Sequence, residues 1–267
     1  MLEPSAATER NRLTGSAYRT GRDLAARQAL YRWQTPRHDL PGLVAERLTA
    51  VRGTVVDVGC GNGTFVARIR RDRPDLMVLG LDLSAGILAE VPAPVAVADA
   101  ARLPLTTGSA GAALAMHMLY HVPDIPAAVR ELSRVVAPGA PVIASTNSEH
   151  DKAELDDLWG RALTDVLGTA PATPRPAFAT RFSLENAPAL LGAEFGTVET
   201  VPLPGVIELP DPSPVAAYLA SYRAWADEYG APFEETVERA RRIAAAEIAR
   251  NGTFRVNSRA GLLICRR

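Results

Sequence analysis

The chain has 267 residues, of which 47% are apolar and 22% charged, and its formal net charge is −1. That is the composition of an ordinary globular protein with room for one large domain, or one domain with an added lid. No run of the sequence approaches the roughly 20 apolar residues of a membrane span, no leader-like apolar segment opens it, and no basic excess would draw it to nucleic acid.

Residues 1–45 read as an N-terminal helical cap. Arg10, Arg12, Arg19, Arg22, Arg27, Arg32 and Arg37 crowd it, against only Glu3, Glu9, Asp23 and Asp39. Such a crowd is either the solvated face of a helix or a surface for an anionic substrate or RNA. Because Lys152 is the only lysine, part of the bias reflects coding composition. The helices stop at "TPRHDLPG", where two prolines and a glycine break regular structure. From Arg52 to Asn147, short β-branched runs alternate with helical stretches. "TVVDVG", "MVLGLDL", "PVAVADA", "GAALAMHM" and "PVIAST" read as strands, and "TFVARIRRD", "SAGILAEV" and "DIPAAVRELSRVV" as helices. This alternation implies βαβ units and an α/β fold, a parallel sheet with helices on both faces. Beyond it, "HDKAELDDLWGRALTDVLG" is a helix capped by Gly168, and "TAPATPRPAFAT" is a proline-rich connector. "SLENAPALLGAEF" and "GTVETVPLP" add a helix and a strand. "SPVAAYLASYRAWADEYG" and "FEETVERARRIAAAEIARNG" form a helical pair, and "FRVNSRAGLLICRR" closes the chain as a strand.

The chemistry concentrates in "VVDVGCGNGTF". Gly59, Gly61 and Gly63 follow a strand directly, with Asp57 just before them. Loops that cradle a dinucleotide read G-x-G-x-x-G, and Thr64 stands here where that pattern wants its last glycine. A carboxylate at Asp57 would repel a pyrophosphate but suits a cationic ligand without phosphate, such as S-adenosylmethionine with its ammonium and sulfonium. Asp82 ends the second strand where an acid would meet ribose hydroxyls, and Asp99 ends the third where it would meet an exocyclic amine. Plainer readings exist: the glycines make a tight turn, Asp82 or Ser84 caps the next helix, and Asp99 caps a turn.

With these acids and "VVDVGCGNGTF", "GLDLS", "ADAARLPL" and "LYHVPDIPAAVRELSRVVAPGA", the sequence resembles the class I S-adenosylmethionine-dependent methyltransferases, in particular the group acting on small molecules. The resemblance covers about Val55 to Ser145. It implies a Rossmann-like seven-stranded sheet whose last strand runs antiparallel, with helices inserted before that strand to cap the active site. The expected division is a cap over 1–45, a core over 46–200 and 253–267, and a helical lid over 201–252. It further implies that Asp57, Gly59, Cys60, Gly61 and Gly63 meet the amino-acid end of the cofactor. Asp82 with Leu83 would take the ribose, Asp99 with Ala100 the adenine, and His117 would lie near the sulfonium. Spent cofactor would leave as S-adenosyl-L-homocysteine.

A base is needed only for an acceptor that begins protonated, and His121 and His117 are the candidates. Tyr218, Tyr222, Trp225 and Tyr229 fall on one face of a lid helix, with Tyr18, Tyr31 and Trp33 on the N-terminal helices and His150 beyond the fifth strand. This aromatic face is either core or the wall of a pocket for an aromatic or heterocyclic acceptor of the natural-product type. The expected protein is cytoplasmic, a monomer or homodimer, and without a metal, since Cys60 and Cys265 have no ligand spacing. An RNA methyltransferase and a non-catalytic S-adenosylmethionine-binding regulator stand as the alternatives.

Overall fold

A computed structural model describes residues 6–169, 178–229 and 232–267; most of the proline-rich connector and the side chain of Tyr229 lie outside the described residues. The chain enters through α1 (Arg10–Arg12), α2 (Arg22–Ala29), the short β1 (Gln34–Thr35) and α3 (Leu40–Arg47). The alternating block follows as β2 (Thr54–Val58), α4 (Thr64–Asp72), β3 (Met77–Asp82), α5 (Ala85–Leu88), β4 (Val95–Val97), β5 (Ala112–Met116), α6 (Ile125–Val135) and β6 (Val142–Asn147). Then come α7 (Ala153–Leu167), α8 (Ala187–Gly192), β7 (Thr197–Leu209), α9 (Ser213–Ala220), α10 (Phe233–Asn251) and β8 (Phe254–Arg266).

All eight strands form one sheet in the order β1-β7-β8-β6-β5-β2-β3-β4. Strands β2 to β6 pair in parallel, and β8 runs antiparallel between β6 and β7. Seven of these are the expected strands. The eighth, β1, is a two-residue edge pairing antiparallel with β7, too short for any periodicity to show in the sequence. Strands β2 and β5 are buried on both faces and accordingly read as unbroken apolar runs, interrupted in β2 only by Asp57. On one face, Val56 and Val58 pack with Val129, Leu132 and Val135 of α6 and with α8. On the other, Val55, Val78 and Leu114 meet α3 and α4 through Val44, Leu48, Val66 and Ile69. Helix α6 begins where Asp124 accepts from the Ala127 N–H at 2.9 Å, with a proline in its first turn.

A third apolar cluster forms the cap and takes in the far ends of β7 and β8 through Ile207, Leu209, Phe254 and Val256. Helix α7 belongs to it, although the sequence places it in the core. Its Leu155, Leu158, Trp159 and Leu163 pack with Val215, Leu219, Val237 and Ala240 of the lid. The cause is the length of β7 and β8. Strand β6 pairs with β8 only as far as Ala260, so residues 254–259 run past it with β7 as their one sheet neighbour. The segment from Ser148 to Glu154 satisfies that open edge instead: the Asp151 carboxylate accepts from the Arg259 N–H at 2.7 Å and Glu154 from the Asn257 N–H at 3.1 Å. The chain is thereby carried up beside the sheet and starts α7 in the cap. Strand β7 likewise runs to Leu209, so residues 201–209, expected in the lid, are sheet.

The expected lid helix over 213–230 breaks after Ala220. Ser221 Oγ donates back to the Tyr218 carbonyl at 2.6 Å, and Trp225 takes a non-helical backbone (φ −115°) within a following 3-10 segment. The break divides the aromatic stripe. Among the described residues no helix is long and apolar enough to cross a membrane.

Candidate active site

A cavity of about 270 Å³ opens at the C-terminal ends of β2, β3 and β5 and runs up under the cap. Its floor is the glycine loop. The N–H groups of Gly59 and Cys60 both donate to the Leu81 carbonyl, at 2.7 and 2.9 Å, which ties the loop to β3. Gly61 (φ +53°) donates to Asp82 Oδ2 at 2.9 Å, and a Cβ there would sit 2.9 Å from Leu24. A Cβ on Gly59 (φ +70°) would lie 2.8 Å from the Met118 side chain, so neither position admits a side chain without movement. Gly63 starts α4 and stands off the cavity wall, as does Asp57. Cys60 lines the wall; burial, then Asp57, pushes its thiol pKa up, making it a packing group rather than a nucleophile.

The three acids differ sharply in surroundings. Asp57 is fully buried with both carboxylate oxygens unpartnered, and burial, with Asp82 second, raises its pKa to about 8. Asp82 lies on the wall beside Leu83; burial raises it, opposed by the backbone bonds from Ser84 and Gly61. Ser84 caps α5 as the sequence allows, and its N–H also donates to Asp82 Oδ1 at 2.9 Å. Asp99, next to Ala100 on the wall, accepts from the Ala101 N–H at 3.0 Å and is paired with Arg10 from the N-terminal segment.

Above the loop the wall turns aromatic, with Tyr18, Tyr31, Tyr120, Tyr218 and Tyr222. The N-terminal segment is fastened there by His121. Its Nδ1 lies 2.9 Å from the Ala7 carbonyl, which can only accept, so Nδ1 donates and Nε2 accepts from the Tyr18 hydroxyl at 2.7 Å. Both ring nitrogens are thus engaged. Burial lowers the pKa of His121 to about 4, and burial with Lys152 lowers that of His117 to a similar value. Both imidazoles are neutral at physiological pH. His117 lines the cavity in a left-handed backbone (φ +51°), held by its N–H to Ser145 at 3.0 Å. Burial raises the pKa of Tyr18, Tyr31 and Tyr120, so these are neutral phenols. His121→Ala should therefore act as the loss of a fastening: about 2 kcal/mol of stability and faster proteolysis within residues 6–22. Unchanged melting and unchanged cleavage would remove His121 from that role.

Three expected wall residues stand elsewhere. Trp33 is 41% exposed, because the turn it ends hands the chain to the edge strand β1. His150 is exposed in the turn beside β8. Trp225 is fully buried behind the wall, where the helix break lets its Nε1 donate to the Ala6 carbonyl at 3.0 Å and its ring stack on His121.

Three cationic residues on the wall, Arg10, Arg27 and Lys152, escaped the sequence reading as site residues. Arg27 was one of seven arginines with nothing local to distinguish it. Lys152, 3% exposed, is paired with Asp151 and donates to the Tyr31 hydroxyl at 2.8 Å. Burial would lower its pKa, but Asp151 and Tyr31 outweigh that and hold it raised. The signal was there: a lone lysine kept in a chain that uses arginine everywhere else.

Residues 56–144 match a family model described as "Methyltransferase domain". The chain is 30% identical over 115 residues to malonyl-[acyl-carrier protein] O-methyltransferase of Hahella chejuensis, a match covering 39% of this chain and 40% of that protein. It is 32% identical over 121 residues to trans-aconitate 2-methyltransferase of Deinococcus radiodurans, covering 44% and 46%. The matches span less than half the length of either relative. In fold the chain is similar to a protein of Anabaena variabilis assigned to the methyltransferases of an antibiotic biosynthesis pathway (TM-score 0.60, 15% identity, 84% of this chain and 96% of that one). The family match falls on the stretch from β2 to β6 that builds the glycine loop and its acids, so residues 56–144 form a methyltransferase domain of the class I S-adenosylmethionine-dependent type.

Proposed function

We propose that the protein transfers the methyl group of S-adenosylmethionine to a small aromatic or heterocyclic acceptor bound under the cap. The observation that carries this reading is the continuity of the cavity, from the glycine loop, Asp82 and Asp99 at its floor to the tyrosines above. The floor fits the cofactor. Asp57 is a buried acid with no partner, suited to a nearby cation, and the loop is a backbone cradle that a Cβ would fill. In this reading Gly59 and Gly61 hold the amino-acid end, Asp82 the ribose, and Asp99 with Ala100 the adenine. When bound, S-adenosylmethionine supplies an electrophilic methyl on a cationic sulfur.

What the chain contributes is alignment and exclusion of water. Holding the acceptor's lone pair in line with the methyl supplies an effective molarity on the order of 10⁵ M or more. Tyr18, Tyr120 and Tyr222 enclose the acceptor with flat apolar faces. For an acceptor that begins protonated, His117 is the base, because it reaches the cavity as a neutral imidazole while His121 is occupied.

Calorimetric titration with S-adenosylhomocysteine, with NADH as control, tests the floor directly. Micromolar binding of the first alone is expected, from an acid where a pyrophosphate would have to sit. Binding of NADH alone would refute the reading of Asp57 and the loop.

A further inference from the structure

The seven arginines of the N-terminal segment meet different fates. Arg19, Arg22, Arg32 and Arg37 are exposed, Arg10 pairs with Asp99, and Arg12 pairs with Glu9, Asp227 and Glu228. Arg27 turns into the cavity and forms no ion pair among the described residues. Its guanidinium carbon lies 5.2 Å from the centre of the Tyr18 ring and 5.1 Å from that of Tyr222. Nη1 donates to the Ser221 carbonyl at 3.3 Å, while Nη2 is buried with no hydrogen-bond partner.

A half-buried cation whose Nη2 is buried and unsatisfied is costly unless something compensates it. We infer that Arg27 binds a carboxylate carried by the methyl acceptor, which makes the substrate an organic acid anchored at its charged end; this rests on the methyltransferase reading above. The two tyrosine rings flank the guanidinium, and Nη2 is left without an acceptor. A planar fork of this kind matches the two oxygens of a carboxylate, which lysine could not do. The charge count favours a monoanion over a phosphate dianion. Lys152, the buried cation on this wall, is already neutralised by Asp151, so the charge of Arg27 is left to satisfy. The acid is anchored beside Tyr18 and Tyr222, which leaves its other end to reach the floor of the cavity.

The test uses acid and amide pairs on one skeleton: benzoate with benzamide, 4-hydroxybenzoate with 4-hydroxybenzamide, cinnamate with cinnamamide. Each is titrated calorimetrically into protein saturated with S-adenosylhomocysteine. An acid should bind about tenfold or more tightly than its amide. Arg27→Gln should erase that preference while S-adenosylhomocysteine affinity stays within about twofold, and Arg27→Lys should keep part of it. No preference in any pair, or one that survives Arg27→Gln, overturns the proposal. Ligand-free stability gives a second readout. An arginine kept for a ligand is expected to leave the melting temperature of Arg27→Gln at or above the wild-type value, whereas a drop of several degrees would make it a strut between the tyrosines and overturn the proposal. If S-adenosylhomocysteine does not bind wild-type protein at all, the methyltransferase reading fails first, and the acid preference and its loss in Arg27→Gln are then decided on the protein alone.

Discussion

Asp82→Ala should abolish measurable cofactor binding at micromolar concentrations. The side chain has two tasks in one place. It accepts from the Gly61 and Ser84 N–H groups at 2.9 Å each, fixing the glycine loop against the start of α5, and it faces the cavity where the ribose is expected. Hydrogen bonds to a charged group contribute about 1.5–3 kcal/mol each, so losing the ribose contacts and the loop geometry together should cost at least about 3 kcal/mol, more than a hundredfold in affinity. Stability should fall too, since two backbone donors lose their acceptor. Asp82→Asn separates the two tasks. Its amide oxygen can keep one backbone bond, so the variant should melt closer to wild type yet bind S-adenosylhomocysteine weakly. Wild-type affinity in Asp82→Asn would sink the ribose assignment while leaving the loop account intact.

The second large effect is in pH. Asp57 holds its proton up to about pH 8 in the folded protein, whereas an unfolded chain releases it near pH 4. Between those values the folded state carries the extra proton, so ligand-free stability falls as pH rises, by up to about 1.4 kcal/mol per pH unit. Below the lower value the group contributes no slope, and above the upper one its full cost is present. Asp57→Asn removes the ionisation, so the variant should gain on wild type steadily from about pH 5 to about pH 8 in melting experiments. A bound cation nearby favours the carboxylate and should expel the proton. Titrating S-adenosylhomocysteine near neutral pH in buffers of different ionisation enthalpy should report release of close to one proton from wild type and none from Asp57→Asn. Parallel melting curves and no proton release would mean that Asp57 is already ionised in the ligand-free protein, and would overturn its raised pKa.

Both effects arise from residues that the sequence could name, because their signal is local. A strand, a glycine loop and a helix start are consecutive in the chain, and the period of two in "VVDVG" or of 3.6 in "DIPAAVRELSRVV" needs no knowledge of the rest. Gly59, Gly61, Asp82, Asp99 and Ala100 reach the cavity wall because each sits at a strand end or in the turn after one, where an open α/β sheet presents its crevice. Asp57 was legible as an acid but not as a buried one with no partner. Its surroundings come from β3, β5 and the helices, distant in sequence.

The cap shows the opposite case. Tyr218 and Tyr222 line the cavity while Trp225, on the same helical face by spacing, is turned away after the helix break at Ser221 and donates to the carbonyl of Ala6, 219 residues before it in the chain. Helix α7 has an apolar stripe that would suit the sheet equally well. Only the overhang of β7 and β8 past β6 directs it to the lid. Arg27 and its exposed neighbours are alike as residues and differ only in what folds over them.

The sequence by itself determined the fold class, the parallel run of strands and the glycine loop, because those follow from periodicity and turn chemistry over a few residues. The tertiary structure decided which aromatics and which cation face the cavity. That choice depends on long-range packing between the N-terminal segment, the overhanging hairpin and the lid.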